Sequence, residues 1–187
     1  MQSLEDRGFE VMMADPPWPH GTHIRREINP EKRGKFSPDM PYDLIGNDEI
    51  QDILGTIKAP TLFLWAFERN LFEAQQVGEA LGYKLHVRIV WDKLRGVAPC
   101  FTIRYQHEYL LWMYKPPMVK IAWNQRGKHG SVIRESSRKH SQKPEAAYEL
   151  VEYLYPTQKK IELFARRARR GWAAWGNEID EHGMEEL

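Results

Sequence analysis

The tetrapeptide Asp15-Pro16-Pro17-Trp18 combines a carboxylate, a rigid backbone and a large flat ring within four residues. That set suits an amine attached to an aromatic ring. Such an amine, the N6 group of adenine for example, is a poor nucleophile because its lone pair is delocalised into the ring. A site that accepts hydrogen bonds from the NH2 group frees the pair to point at an electrophile. Asp15 offers one acceptor, and the Pro16 carbonyl, held in direction by the two proline rings, offers a second. Trp18 offers a face for a base to stack on, typically worth about 1–3 kcal/mol. If the electrophile is a sulfonium methyl, alignment carries most of the rate and no metal is needed.

A second group of residues lies far downstream. Ser141-Gln142-Lys143-Pro144 precedes a helix pattern, followed by Ile161-Glu162-Leu163-Phe164-Ala165-Arg166 and by Gly171-Trp172 through Gly176-Asn177-Glu178. In a nucleotide-binding α/β unit the first strand ends in a turn at the ligand, and an acid about 20 residues on holds a ribose hydroxyl. Phe164 opens such a turn, and Glu178 ends the next strand at roughly that spacing. Asn177 beside it both donates and accepts. Lys143 and Arg166 are suited to the carboxylate of a methionine moiety.

The elements that must position these residues follow from periodicity. Phe9–Ala14 is a short apolar run stopped by two prolines, so Asp15 sits just past the carboxyl end of a strand, where open α/β sheets bind ligands. Asn47 is a good N-cap for a helix whose apolar stripe is Ile50, Ile53, Leu54 and Ile57. Strands are expected at Thr61–Trp65, Leu85–Trp91, His107–Tyr114, Lys159–Phe164 and Trp172–Trp175. Helices are expected at Glu68–Leu81, closed by Gly82, and from Pro144 to Tyr155. Residues 19–40 and 115–140 read as long loops. The pattern predicts a three-layer, Rossmann-like α/β fold with a mostly parallel central sheet, in one domain spanning 1–187.

Composition narrows the class. Apolar residues make up 42% of 187, enough for a core, and the net charge is only +1. One cysteine, Cys100, allows no internal disulfide, and without a CxxC pair no thiolate zinc site is expected. No run reaches membrane-spanning length and the start, MQSLEDRGFE, lacks a signal-peptide profile, so a reducing cytoplasmic setting is expected. Basic residues gather in Arg25–Lys35, Arg126–Lys139 and Arg166–Arg170, a distribution that suits phosphate contact on one face.

Taken together these segments resemble the MT-A70 family of N6-adenine methyltransferases over nearly the whole chain. The matching stretches run from Ala14–Trp18 through Met40-Pro41-Tyr42, Leu62–Trp65, Trp91 with Lys93 and His107-Glu108. They continue with Arg138, Ser141 and Lys143-Pro144, Lys160–Arg166 and Gly171–Glu178. The resemblance implies a permuted motif order, with the catalytic motif ahead of the cofactor strand, and S-adenosylmethionine as cofactor. It implies that Asp15, Pro16, Pro17 and Trp18 hold the adenine, with Asp15 also near the cofactor's methionine amine. Lys143, Phe164, Arg166, Asn177 and Glu178 fall on the cofactor side, and Tyr42 and Glu108 near the acceptor base. Three departures stand out. About ten residues of this sequence precede the catalytic strand, the turn Phe164-Ala165-Arg166-Arg167 lacks glycine, and no separate target-recognition domain is expected.

An enzyme acting on a base takes it flipped out or from a single strand. Arg25 and Arg26 in the first loop, and Lys128 and Arg138 in the second, are therefore expected to contact phosphates beside the target. The acceptor reads as DNA ahead of RNA, with a small adenine compound left open. A homodimer or an accessory subunit would supply recognition that one domain lacks. The rival from another class is a catalytically silent nucleic-acid-binding subunit, which the intact tetrapeptide disfavours. Cytosine-N4 and glutamine-N5 enzymes usually place Ser or Asn where Asp15 stands and Tyr or Phe where Trp18 stands.

Overall fold

The computed structural model describes residues 7–19, 45–94, 103, 105–137, 142–176 and 179. Seven strands form one sheet in the order β5-β3-β4-β2-β1-β6-β7. They are β1 (Val11–Ala14), β2 (Thr61–Ala66), β3 (Lys84–Asp92), β4 (His107–Tyr114), β5 (Val132–Arg134), β6 (Lys160–Leu163) and β7 (Trp172–Trp175). β1 pairs in parallel with β2 and β6, β6 with β7, and β3 with β5. β4 runs antiparallel to both β2 and β3, so it alone is reversed.

Among the described residues three helices cover the sheet: α1 (Asn47–Gly55), α2 (Leu71–Ala80) and α3 (Glu145–Leu154). β1 and β2 are buried on both faces, which requires near-continuous apolar sequence. Alternation then divides their side chains between two cores. Met12 and Ala14 join Ile50 and Leu54 of α1 and Val77 of α2 on one face. Val11 and Met13 join Tyr148, Leu150 and Val151 of α3 on the other. The expected three-layer, mostly parallel α/β architecture is therefore present.

Local differences from the sequence reading have local causes. Gly46 rather than Asn47 takes the N-cap of α1, and no side chain caps it. The second helix begins as a 3-10 turn, Glu68–Asn70, where the Asn70 side chain accepts from the Phe67 amide. The 115–140 loop contains β5, whose three residues show only one buried position, too short for periodicity to register.

One buried charge site bears on stability. Glu162, on β6, accepts a hydrogen bond of 2.7 Å from the Tyr148 hydroxyl. Burial pushes its pKa from 4.5 up to about 7, with the negative charge of Asp15 adding to the rise. The folded state therefore keeps a proton that the unfolded chain releases above pH 4.5. Native stability falls as pH rises from 4.5 to 7 and the loss is complete above 7. At pH 8 E162Q should be more stable than the wild type by about 1–3 kcal/mol in urea unfolding, a gain that vanishes near pH 4.5. A pH-independent difference would show that Glu162 is not the titrating group.

Candidate active site

The chain leaves β1 through α1 on one face to reach β2, and returns through α3 on the other face to reach β6. β1 thus lies between two strands approached in opposite directions, which makes the carboxyl ends of β1 and β6 the topological switch point of the sheet. Asp15 follows β1 there, and its amide points at the Leu163 carbonyl, 3.5 Å away. Phe164 follows β6.

Asp15 begins a line of alternating charges. Its Oδ1 lies 2.9 Å from Lys143 Nζ, and the same ammonium lies 2.8 Å from Glu108 Oε2. The other oxygen of Glu108 pairs with Lys93. Aromatic rings floor the line. Lys143 Nζ is 5.1 Å from the Trp65 ring, Lys93 Nζ is 4.9 Å from the Trp91 ring, and the two rings meet edge to face at 6.0 Å. Sheet register explains the assembly: Trp91 pairs with Glu108 across β3 and β4, so Lys93, two residues on, falls on the same face.

Lys143 is set by the start of α3. The Glu135 carboxylate accepts the Glu145 and Ala146 amides at 3.2 and 3.0 Å, satisfying two donors of the first turn. The Glu135 carbonyl in turn accepts from the Trp91 indole at 2.7 Å. The loop from β5 is thereby fixed to both β3 and α3.

These contacts divide the two carboxylates. Burial alone would raise Glu108, but Lys143 and Lys93 together hold it down at about 2. Asp15 has only one lysine, which it shares, so burial and the neighbouring Glu108 charge raise its pKa above the usual aspartate value. Burial also opposes the charge on Lys143, yet the two flanking carboxylates outweigh it and raise its pKa. Of the two carboxylates on Lys143, Glu108 is held as the anion and Asp15 is the one shifted towards accepting a proton. Arg166 is near enough to draw Asp15 downwards in part.

The tetrapeptide is a rigid turn. Trp18 N–H donates to the Pro16 carbonyl at 2.8 Å across Pro17, and Ile45 N–H donates to the Pro17 carbonyl at 3.3 Å. The Pro16 oxygen keeps a second lone pair. Trp18 differs from its expected role. It is 1% exposed, packs in the core with Ile50 and Leu64, and donates from Nε1 to the Trp65 carbonyl at 2.8 Å. No ring face is open to a base in this structure. The hollow beside α1 buries the indole and supplies an acceptor, so Trp18 anchors the turn that carries Asp15.

Other expected site residues sort by position. Lys143 lies on Asp15 and Glu108, its ammonium engaged by two carboxylates. Phe164 adopts φ 61°, so the turn that lacks glycine does use a left-handed residue. Lys128 stands elsewhere. Its neighbour His129 packs on Tyr153 in the last turn of α3, a helix length of about 15 Å from the end that holds Lys143. In the basic cluster after β6, Arg167 pairs with Glu145, and Arg169 pairs with both Glu145 and Glu152, so these two brace α3. Arg25, Arg26, Tyr42, Arg138, Asn177 and Glu178 lie outside the described residues. Among the described residues no cluster of His, Cys, Asp and Glu is arranged for a metal, and no helix is long and apolar enough to cross a membrane.

A mostly parallel α/β sheet with a proline-fixed carboxylate at its switch point defines a Rossmann-like domain of the methyltransferase type. The MT-A70 family model matches residues 9–178, and the chain belongs to that family. It is 30% identical to the Type II methyltransferase M.MunI of a Mycoplasma species, over 97% of this chain and 82% of that protein. It is 29% identical to the N(6)-adenosine-methyltransferase MT-A70-like protein of Arabidopsis thaliana, over 92% of this chain and 24% of the relative. Human N(6)-adenosine-methyltransferase catalytic subunit METTL3 is 27% identical, over 92% of this chain and 28% of the relative. The chain thus spans most of the Mycoplasma protein but about a quarter of the plant and human ones.

Proposed function

We propose that this chain transfers a methyl group from S-adenosylmethionine to the N6 amine of adenine in nucleic acid, with DNA the acceptor ahead of RNA. The observation that carries the reading is Asp15 at the switch point, its carboxylate tied to Lys143 and its pKa raised. Family membership and the names of the relatives support the reaction. The near full-length match to the Type II methyltransferase supports the ranking of DNA.

The residues at the carboxyl ends of β1 and β6 fit the cofactor's amino-acid tail by charge. Asp15 suits its ammonium and Arg166 its carboxylate, with Phe164 at the left-handed turn between them. Asn177 and Glu178 are assigned to its ribose. When bound, the cofactor supplies an electrophilic methyl. On the acceptor side, Asp15 and the free lone pair of Pro16 accept the two N–H groups of the adenine amine. This aligns the nitrogen pair with the methyl carbon. As the N–C bond forms and the bond from that carbon to the donor sulfur breaks, leaving a neutral thioether, N6 gains positive charge, which Asp15 would stabilise and then relieve by taking the surplus proton. Lys143 and Glu108 hold the Asp15 carboxylate in place. Tyr42, Arg25, Arg26 and Arg138 are assigned to the acceptor strand.

The test offers labelled methyl donor with single-stranded DNA, duplex DNA and RNA of one sequence, and identifies the product by mass spectrometry. N6-methyladenine is expected, in DNA before RNA. Cofactor binding without any methylated product would instead mark a silent subunit, and methylation at another atom would overturn the assignment of Asp15.

A further inference from the structure

The basic segment after β4 does not reach the Asp15 end of the sheet until β5. Residues 115–134 carry Lys115, Lys120, Arg126, Lys128 and Arg134 and no acid. β4 ends where β1 and β2 begin, with Tyr114 opposite Thr61, so the segment starts at the far end of the sheet. Its 3-10 turn, Trp123–Gln125, stays there, beside the last turn of α3. Gln125 donates to the Tyr153 carbonyl, and the same side chain accepts from the Ala122 amide.

This turn holds Trp123 out in solvent, 83% exposed. Arg126 lies over the indole at 5.2 Å and is itself pinned by a 3.1 Å bond from its Nε to the Ile121 carbonyl. Tyr153 and His129 pack edge to face at 4.6 Å alongside. Val119 and Ile121, just before the turn, pack into the core beneath α3. The turn is therefore braced on both sides, and the exposure of the largest side chain is built in. Lys120 and Lys128 flank it, both exposed. Glu149, exposed one turn before Tyr153 on α3, is the acid that borders this surface.

We propose that this surface is a second binding site for single-stranded nucleic acid, separate from the adenine pocket. A base stacks on the open face of Trp123, and Arg126, Lys120 and Lys128 take the adjoining phosphates. Stacking on an exposed aromatic beside a cationic track is how strands are bound without sequence preference. The site stands about 15 Å from Lys143 along α3. A single short oligonucleotide therefore occupies one site, and a long strand engages both.

The probe is fluorescein-labelled oligothymidine of about 25 nucleotides, which contains no adenine, so its binding does not depend on the methylation reading. Anisotropy titrations at several salt concentrations compare the wild type with W123A and with K128E. W123A is expected to weaken binding about tenfold. K128E should weaken it further at low salt and flatten the salt dependence by about one counterion. Trp123 and Lys128 are both exposed, so their variants should keep the wild-type unfolding midpoint. Equal affinity in W123A, K128E and wild type would overturn the proposal. So would a loss of self-association in W123A with oligothymidine binding unchanged, which would make this face a contact between copies of the chain.

Discussion

Asp15→Asn should reduce methyl transfer about a thousandfold while the protein stays folded. The substitution keeps the size of the side chain and one oxygen for the adenine amine. It removes the negative charge that stabilises N6 as the new bond forms, and it removes the acceptor for the surplus proton. Stripping the partner from a buried ion usually costs about 3–5 kcal/mol, but Lys143 retains Glu108 at 2.8 Å and is not left bare. Activity, not stability, should therefore carry the effect, and single-turnover rates beside unfolding curves separate the two. The wild type should lose activity on acidification as Asp15 takes a proton, with the limb lying above the ordinary aspartate value of 3.8. Glu108 sets part of that displacement, because its charge raises Asp15. E108Q should therefore move the acid limb to lower pH, since Asp15 then has Lys143 to itself. An acid limb unmoved by E108Q would mean that a group other than Asp15 governs the profile.

The placement of Asp15 was legible because it is local. A carboxylate, two prolines and the end of an apolar run lie within a few residues, and their placement follows from chain stiffness and strand geometry. The line from Asp15 to Lys93 is different in kind. Its members come from β1, β3, β4 and the start of α3, and only the antiparallel β3–β4 register brings Lys93 to Glu108. The sequence marks Trp91 with Lys93 and His107-Glu108 as separate stretches, and the spacing of two between Trp91 and Lys93, which keeps both on one face of a strand, is the signal that could have joined them. Trp18 shows the converse limit. Its ring suits stacking by chemistry, but the packing hollow beside α1, made by residues far along the chain, decides where the ring lies. Lys128 shows the same for charge. Proximity in sequence to Arg138 said nothing about which end of α3 the segment would follow, and that was set by Val119 and Ile121 entering the core.

The cofactor side yields the second large effect, at Gly176. The turn after β6 contains no glycine, although such turns commonly need one where backbone and ligand meet. Phe164 takes the left-handed conformation itself, at φ 61°, and its ring packs against Trp175 at 5.8 Å. The glycine stands instead across the way, at the end of β7. A Cβ on residue 176 would lie 2.2 Å from the Ala165 carbonyl oxygen and 2.7 Å from the Ala165 nitrogen, both backbone atoms. That nitrogen donates to the Trp175 carbonyl at 2.9 Å, so the two segments cannot part without losing the bond. G176A should therefore destabilise the protein by about 1–3 kcal/mol, the usual cost of forced overpacking. It should also displace the turn bearing Phe164 and Arg166 and weaken S-adenosylmethionine at least tenfold in calorimetry. Gly82 provides the comparison. It has positive φ, 86°, but nothing lies within 4 Å of an added Cβ. G82A should incur only the backbone penalty, about 1–2 kcal/mol, and leave cofactor affinity unchanged. If G176A bound the cofactor as tightly as G82A, the turn after β6 would be structural support and not part of the cofactor site. A loss confined to G176A would assign the missing glycine of that turn to the neighbouring strand.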